Sequence, residues 1–329
     1  MFYFSLMIGT IITISSSTWI GMWMGLEINL LSIIPLMNNK NMLSTEASMK
    51  YFITQALAST MIIFSIIMMS MNSDPQWMID SNVKLIMNSA LITKMGAAPF
   101  HFWFPEVMEG SSWNICFMLL TWQKIAPMIM IMYNISKLKF FMVIIIFSML
   151  IGGIQGLNQI SMRKIMAYSS INHIGWMIST MFFMETIWIL YFIVYSIISI
   201  NIIAMLSMMN IFYTKQLILL SNNNLWFKLL FIFNFLSLGG LPPFLGFMPK
   251  WITIQYLTME NHLMLSLIMV VMTLMTLYYY IRLTFSTLIF NSNELNFQIL
   301  KIENNFMIYL INSITILGLI FSTMTFNFL

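Results

Sequence analysis

The sequence predicts an all-α polytopic membrane protein, and three observations carry this prediction. Of its 329 residues, 60% are hydrophobic and only 7% are charged, whereas a soluble domain carries about 25% charged residues. The apolar residues form continuous runs of Ile, Leu, Met and Phe, and a run of about 20 such residues spans a bilayer as a helix. The runs lack the polar alternation of membrane β-strands. A water-soluble fold is therefore excluded, and the membrane spans are expected to be helices.

Charged residues and clusters of Asn, Ser, Gly and Pro interrupt the apolar runs and divide the chain into about eleven helices. The first segment, 1–19, has no charge. Because a secretory signal needs a basic start, we expect this segment to be a retained helix. No soluble segment separates the helices, so residues 1–329 are treated as a single membrane domain. The helices are expected to start near residues 2, 21, 47, 82, 113, 139, 165, 187, 226, 262 and 304.

The distribution of basic residues predicts the orientation of the chain. With an odd number of helices, the two termini lie on opposite faces of the membrane. Loops that face the cytoplasm-like compartment carry the excess of Lys and Arg, so the N-terminus is expected in that compartment. The basic residues on the N-terminal side are Lys40, Lys50, Arg163, Lys164, Lys215, Lys228, Arg282 and Lys301, and those on the other side are Lys84, Lys137 and Lys139.

Several classes of site are disfavoured by composition. Cys116 is the only cysteine, so the chain alone offers no disulfide, CxxC site or iron–sulfur cluster. Neither of the glycine-rich nucleotide-binding motifs occurs. The net charge is +4, but the basic residues stand singly in short loops, which disfavours nucleic acid binding. A haem-bearing cytochrome would need paired axial ligands, and His101, His173 and His262 show no repeated spacing within one helix.

Two segments with Pro interrupt the helical pattern at membrane depth and resemble each other. Residues 98–106 and 242–250 both contain Pro-Phe, then four residues, then Pro and a charged residue. They fall in the predicted fourth and ninth helices, and an odd offset of five helices gives them opposite orientations across the membrane. Helices broken at matching positions of two halves indicate an ion or substrate site. We therefore expect two inverted five-helix repeats, over 1–137 and 138–290, and a C-terminal helix over 291–329.

Few titratable residues remain inside the predicted helices once the loops are set aside. A charge at mid-bilayer costs at least about 2.5 kcal/mol, so such residues usually face the bundle interior and have a function. Burial disfavours the charged form of a lysine and a nearby carboxylate favours it, so moving one partner can make the lysine take up or release a proton. The candidate proton-path residues are Glu27, Lys94, Lys124, His173 and Lys250.

Each candidate has a structural alternative. A lysine can snorkel to the interface or form a static pair, although Lys94 and Lys124 are both expected near the middle of their helices. Glu27 lies only a couple of turns into its helix, so an interfacial acid competes with the functional interpretation. His173 fits a hydrogen-bonded core histidine as well as a proton carrier. The remaining titratable residues near the first break are expected in a solvated turn at the membrane face; they are His101, Glu106 and Glu109.

Four segments together resemble a known family. Residues 94–107, 121–127, 167–176 and 238–251 are similar to subunit 2 of mitochondrial NADH:ubiquinone oxidoreductase, respiratory complex I, of the insect or similar invertebrate type. The resemblance extends over nearly the whole chain. The wider family comprises antiporter-like subunits and the Mrp-type cation/proton antiporters.

The resemblance implies a proton-translocating subunit of a multi-subunit enzyme in the mitochondrial inner membrane, with the N-terminus in the matrix and the C-terminus in the intermembrane space. Glu27 would modulate Lys94, Lys124 would connect two half-channels, Lys250 would serve the exit half-channel, and His173 would bridge the polar axis.

The resemblance also implies where the redox chemistry and the partners lie. No cofactor is expected on this chain, because FMN, the iron–sulfur clusters and ubiquinone belong to other subunits. The implied partners are the other membrane-arm subunits, inner-membrane phospholipids and protons, without nucleic acid. The competing hypothesis is a self-sufficient secondary Na+/H+ antiporter.

Overall fold

The computed structural model confirms the all-α class. Within the residues it describes, the only strand-like feature is an isolated antiparallel bridge between Ser161 and Tyr213. Pro243 of the second break and most of the predicted C-terminal helix, including its start near residue 304, lie outside the described residues. The described residues are 1–38, 41–71, 77–135, 137–182, 184–220, 225–242, 244–289, 312, 313, 315 and 318.

The chain divides into two compact units, Met1–Ser148 and Met149–Leu329. The first unit contains α1 (Phe2–Ser15), α2 (Trp19–Met37), α3 (Met42–Met71), α4 (Trp77–Met95), α5 (Trp103–Gly110), α6 (Trp113–Leu120), α7 (Trp122–Tyr133) and the first part of α8 (Leu138–Leu157). The second unit contains the rest of α8, α9 (Met162–Met181), α10 (Glu185–Met208), α11 (Thr214–Leu220), α12 (Leu225–Gly239), α13 (Phe247–Met259) and α14 (Leu263–Ile289).

A multi-pass membrane protein is consistent with the length and composition of these helices. Among the described residues, six helices are long and apolar enough to cross a membrane. Two shorter apolar helices are Phe2–Ser15 and Lys228–Gly239. The total of eleven spans stays a prediction. The six long spans are Trp19–Met37, Met42–Met71, Trp113–Tyr133, Leu138–Leu157, Glu185–Met208 and Leu263–Thr287.

Most helix starts lie close to their predicted positions, but α3 and α4 begin about a turn earlier than expected. The predicted start of α3 near residue 47 treated the polar residues before it as a loop. In the structure Ser44 Oγ donates to the Asn41 carbonyl at 2.7 Å, and Glu46 pairs with Lys50 one turn later at 2.7 Å. These local interactions are compatible with a helix end, so the polar residues extend the helix rather than precede it.

Polar side chains inside the apolar helices are satisfied mainly by their own backbone. Thr10 Oγ1 donates to the Met7 carbonyl at 2.7 Å, and Ser65 Oγ donates to the Ile62 carbonyl at 2.7 Å. Many other Ser and Thr hydroxyls repeat this bond to a residue one turn earlier. Because a hydroxyl bonded in this way leaves no unsatisfied donor in hydrocarbon, these residues do not by themselves mark a polar channel.

The two breaks predicted from the sequence share one backbone geometry. Each follows a helix, α4 or α12, and each opens with a glycine of positive φ, +73° at Gly96 and +78° at Gly240. In both, the glycine N–H donates to the carbonyl three residues earlier, at 3.1 Å and 3.0 Å, and the next N–H donates to the carbonyl five residues before it, at 3.2 Å and 3.3 Å. This is the Schellman ending of a helix. The sequence similarity between the segments thus corresponds to the same local turn.

Candidate proton-path residues

Lys94 is buried in the last turn of α4, so its expected position midway along a helix was wrong. The helix stops at Met95 because Gly96 adopts the left-handed conformation that ends it. The C-terminus of a helix carries partial negative charge that stabilises a nearby cation. The carboxylate of Glu27, on α2, also interacts electrostatically with the Lys94 amine. The acid that the resemblance pairs with Lys94 therefore lies within electrostatic reach of its amine.

Glu27 lies two residues after a close contact between α1 and α2. A Cβ added at Gly25 would lie 2.6 Å from the Gly9 carbonyl oxygen, so only glycine permits this approach. Glu27 itself is partly exposed, but its Oε1 atom is buried and accepts no hydrogen bond within the described residues. The interfacial position expected as the alternative does not account for this buried oxygen.

A polar cavity of about 10 Å³ lies beside Lys94, with room for about one water. Tyr51 Oη donates to Gln123 Oε1 across 3.4 Å, and Gln55 Nε2 donates to the Lys94 carbonyl at 3.3 Å. Asn29 Oδ1 and Gln123 Nε2 are buried without a hydrogen-bond partner among the described residues. Sequence reasoning overlooked all four residues, because it searched for charges rather than for amides and phenols within apolar spans.

Lys124 lies on α7 near the middle of the span Trp113–Tyr133, as predicted, and is fully buried. Its Nζ lies 5.6 Å from the centre of the Phe104 ring, close enough for a cation–π interaction. Phe104 belongs to α5, which begins directly after the first break. The break thus places an aromatic face against a lysine at mid-span.

Lys250 is buried on α13 and reaches back to the end of α12. Its Nζ donates to the carbonyls of Leu238 and Gly239, at 3.1 Å and 2.8 Å, and lies 6.0 Å from the centre of the Trp176 ring. A Cβ on Gly240 would lie 2.9 Å from the same Nζ. At the second break, the Lys250 amine therefore bonds to the last carbonyls of a helix, at the C-terminus where a cation is stabilised.

His173 is buried on α9, three residues before Trp176. Its Nδ1 lies 2.9 Å from Tyr191 Oη, and its ring centre lies 5.0 Å from that of Tyr195. The hydrogen bond to Tyr191 would satisfy a structural histidine in the core. A phenol can also exchange a proton with an imidazole. Both interpretations of His173 therefore remain compatible with its surroundings.

The titratable residues around the first break separate into two groups. Glu106 is exposed and pairs with Lys50 at 2.7 Å, which fits the solvated turn expected there. His101 does not fit this expectation, because its side chain is buried and its Nδ1 lies 3.3 Å from the Pro99 carbonyl oxygen. The segment packs inward at His101 and turns outward at Glu106, a difference that the sequence pattern did not indicate.

The comparisons with known proteins point to one family. A family model described as "NADH:quinone oxidoreductase/Mrp antiporter, TM" matches residues 16–276. The chain is 50% identical to the NADH-ubiquinone oxidoreductase chain 2 of Anopheles gambiae, over 99% of this chain and 97% of that protein. It is 46% identical to the protein of the same name from Locusta migratoria, over 97% and 94%.

A solved structure has the same fold. A chain of respiratory complex I from Thermus thermophilus, determined with bound aureothin, superposes with a TM-score of 0.84 at 22% identity, over 96% of this chain and 78% of that one. Since the family model covers most of the chain and the insect relatives match it almost from end to end, the chain belongs to the NADH:quinone oxidoreductase/Mrp antiporter transmembrane family.

Proposed function

We propose that this chain is the antiporter-like subunit 2 of respiratory complex I and carries protons across the mitochondrial inner membrane while electrons pass from NADH to ubiquinone elsewhere in the complex. Its relatives named chain 2 support the enzyme assignment. The observation that carries proton translocation is that Lys94, Lys124 and Lys250 are only 7%, 1% and 6% exposed. Amines buried in a polytopic membrane protein are costly and functional as a rule.

Each candidate residue has a distinct part in this proposal. Glu27 attracts the Lys94 amine, and a change in their separation alters the tendency of Lys94 to hold its proton. Lys124 passes the proton on at mid-span, and His173 bridges to the second half of the path. Lys250 releases the proton, because the α12 carbonyls that hold its ammonium belong to a break that can rearrange.

The proposed membrane layout follows the sequence prediction. The chain has eleven spans in two inverted five-helix repeats, 1–137 and 138–290, followed by a C-terminal helix over 291–329. The N-terminus lies in the matrix and the C-terminus in the intermembrane space. The matching Schellman turns at Gly96 and Gly240 support a repeat, and the positions of the basic residues support the orientation.

The same proposal assigns the redox chemistry and the partners. FMN, the iron–sulfur clusters and ubiquinone are bound by other subunits. The large apolar side chains exposed on α3 and α14, such as Phe64 and Leu274, face inner-membrane phospholipids or neighbouring membrane-arm subunits. Such surfaces mark membrane or protein contacts.

A stand-alone Na+/H+ antiporter is the second candidate, favoured by the Mrp antiporters within the family. The two functions predict different results when the purified chain is reconstituted alone in vesicles that contain a pH-sensitive dye. We expect no change of internal pH on addition of Na+, whereas complex I in the same vesicles acidifies or alkalinises them on NADH addition. Sodium-driven exchange by the isolated chain would favour the antiporter and contradict the complex I proposal.

Glu27→Gln tests the role of the acid in complex I assembled with the variant chain. The amide keeps the shape of the side chain but removes the charge that acts on Lys94. Couplings between functional sites are commonly about 1–3 kcal/mol, so the protons translocated per NADH are expected to fall about fivefold or more. Glu46→Gln is the control, because Glu46 is an exposed acid that pairs with Lys50. Equal pumping by both variants would exclude a role of Glu27.

A further inference from the structure

The second unit contains a cavity of about 300 Å³ that none of the proposed roles uses. It lies between the end of α8, the start of α11 and the end of α14, and it is large enough for several waters. Its lining is polar for a membrane protein, because amides, hydroxyls and a guanidinium surround it. The polar lining residues are Asn158, Gln159, Thr214, Tyr279, Arg282 and Ser286.

The cavity lies at the end of the unit that carries its basic residues. Arg282 lines the cavity itself, and Arg163, Lys164 and Lys215 lie at the neighbouring starts of α9 and α11. Basic residues concentrate on the face that the positive-inside rule assigns to the cytoplasm-like compartment, which is the matrix for a mitochondrial protein. The cavity is therefore on the side from which protons are taken up.

Tyr279 forms the inner wall of this cavity and begins a series of buried hydroxyls. Its ring lies against Gly156, where an added Cβ would come within 2.9 Å of Cε1, so the glycine makes room for the phenol. Tyr279 Oη donates to Tyr280 Oη across 3.3 Å. The side chain of Tyr280 also interacts with that of Ser169, deeper in the unit on α9.

The series continues to His173. Tyr280 interacts electrostatically with Tyr191 and Tyr195 on α10, and Tyr191 Oη lies 2.9 Å from His173 Nδ1. A phenol both donates and accepts a hydrogen bond, so each one can accept a proton on one side while releasing its own on the other. Proton transfer from Tyr280 to Tyr191 requires one bridging water or a rotation of a phenol.

We propose that this cavity is a proton entry port and that Tyr279, Tyr280 and Tyr191 pass protons from it to His173. A hydronium ion in the cavity gives a proton to Tyr279 and becomes water, each phenol passes its own proton inward, and the last proton arrives at His173 Nδ1. Every phenol is neutral before and after the transfer, and one proton has moved from the cavity to the imidazole. The proposal rests on the proposed function, because it gives the second half of that path, which begins at His173, a supply of protons.

Tyr280→Phe in assembled complex I removes the central hydroxyl and keeps the ring that packs against Phe235, 5.8 Å between ring centres. A positioned acid or base accelerates proton transfer by about 10²–10⁴-fold, so flux along the series of phenols should fall by about 10²-fold or more. The number of protons translocated per NADH should fall with it. Tyr278→Phe is the matched control, because Tyr278 is exposed on the same helix. Both variants should assemble equally on native gels. Normal pumping by Tyr280→Phe would overturn the relay.

A cysteine placed in the cavity tests the entrance separately. The only native cysteine of this chain, Cys116, is buried. In the Ser286→Cys variant, a membrane-impermeant thiosulfonate should therefore label this chain only at the new cysteine. We expect labelling from the matrix side only, loss of pumping on labelling, and recovery when a reducing agent removes the label. The control, Leu263→Cys, lies exposed at the opposite end of α14 and should label from the other side.

The outcomes separate the entry port from the proposed function. Labelling of Ser286→Cys from the intermembrane side, no labelling, or labelling without loss of pumping would each overturn the port. If Lys124→Met leaves pumping intact, the proposed function itself fails. If Lys124→Met stops pumping while Tyr280→Phe does not, only the relay through the phenols fails.

Discussion

Lys124→Met is expected to stop proton translocation through this subunit while leaving complex I assembled. Lys124 is the most deeply buried of the three lysines and lies near the middle of its span. Methionine keeps the unbranched stem of the side chain and leaves no buried polar atom of its own without a partner. Only the titratable amine is lost. Because a positioned acid or base accelerates proton transfer by about 10²–10⁴-fold, flux through the path should fall by a similar factor.

The measurement is the number of protons moved per NADH oxidised, in vesicles that contain complex I with the variant chain. Lys139→Met is the control, because Lys139 is exposed at the start of α8. NADH oxidation in the presence of an uncoupler reports whether electron transfer itself survives. Pumping by Lys124→Met at the level of Lys139→Met would contradict the proposed proton path.

The fold was largely predictable because hydrophobicity decides where a chain enters a membrane. Long apolar runs predicted α2, α8, α10 and α14, and the Pro and Gly residues predicted both breaks. The start of α3 was placed too late because Ser, Thr and Glu before residue 47 are typical of loops. In the structure these side chains bond to groups of the helix itself. Boundaries depend on such local bonds, which hydropathy does not contain.

The candidate site was predictable only where a charge stood out from an apolar background. Lys94, Lys124, His173 and Lys250 are all buried, as that contrast suggested. The neutral polar groups around them were not predicted, because an uncharged Asn, Gln or Tyr stands out less from an apolar run than a charged residue does. The burial of His101 was missed as well. Which neutral groups gather around a charge depends on tertiary packing, and one sequence does not specify it.

Lys250→Met is expected to reduce both stability and pumping, because Lys250 is at once an amine and the cap of a helix. Methionine leaves the carbonyls of Leu238 and Gly239 without the charged donor that now bonds both. Hydrogen bonds to charged groups contribute about 1.5–3 kcal/mol, so thermal denaturation of the complex should begin at lower temperature. Pumping should fall about as much as in Lys124→Met, by about 10²–10⁴-fold.

Lys250→Gln separates the two roles, since an amide donates to carbonyls but does not carry a proton at physiological pH. We expect it to recover much of the stability lost in Lys250→Met without recovering pumping. Wild-type pumping by Lys250→Gln would make Lys250 a static cap.

Gly240→Ala tests the contact between the Lys250 ammonium and the end of α12 by a change in the backbone turn. The new methyl would lie 2.9 Å from Lys250 Nζ in a turn of φ +78°, and should displace the ammonium from its carbonyls. Gly239→Ala adds the same methyl one residue earlier, where the nearest atom is 3.6 Å away, and should leave the ammonium in place. If pumping depends on how the second break holds its lysine, the two alanines should therefore differ although they are neighbours in sequence.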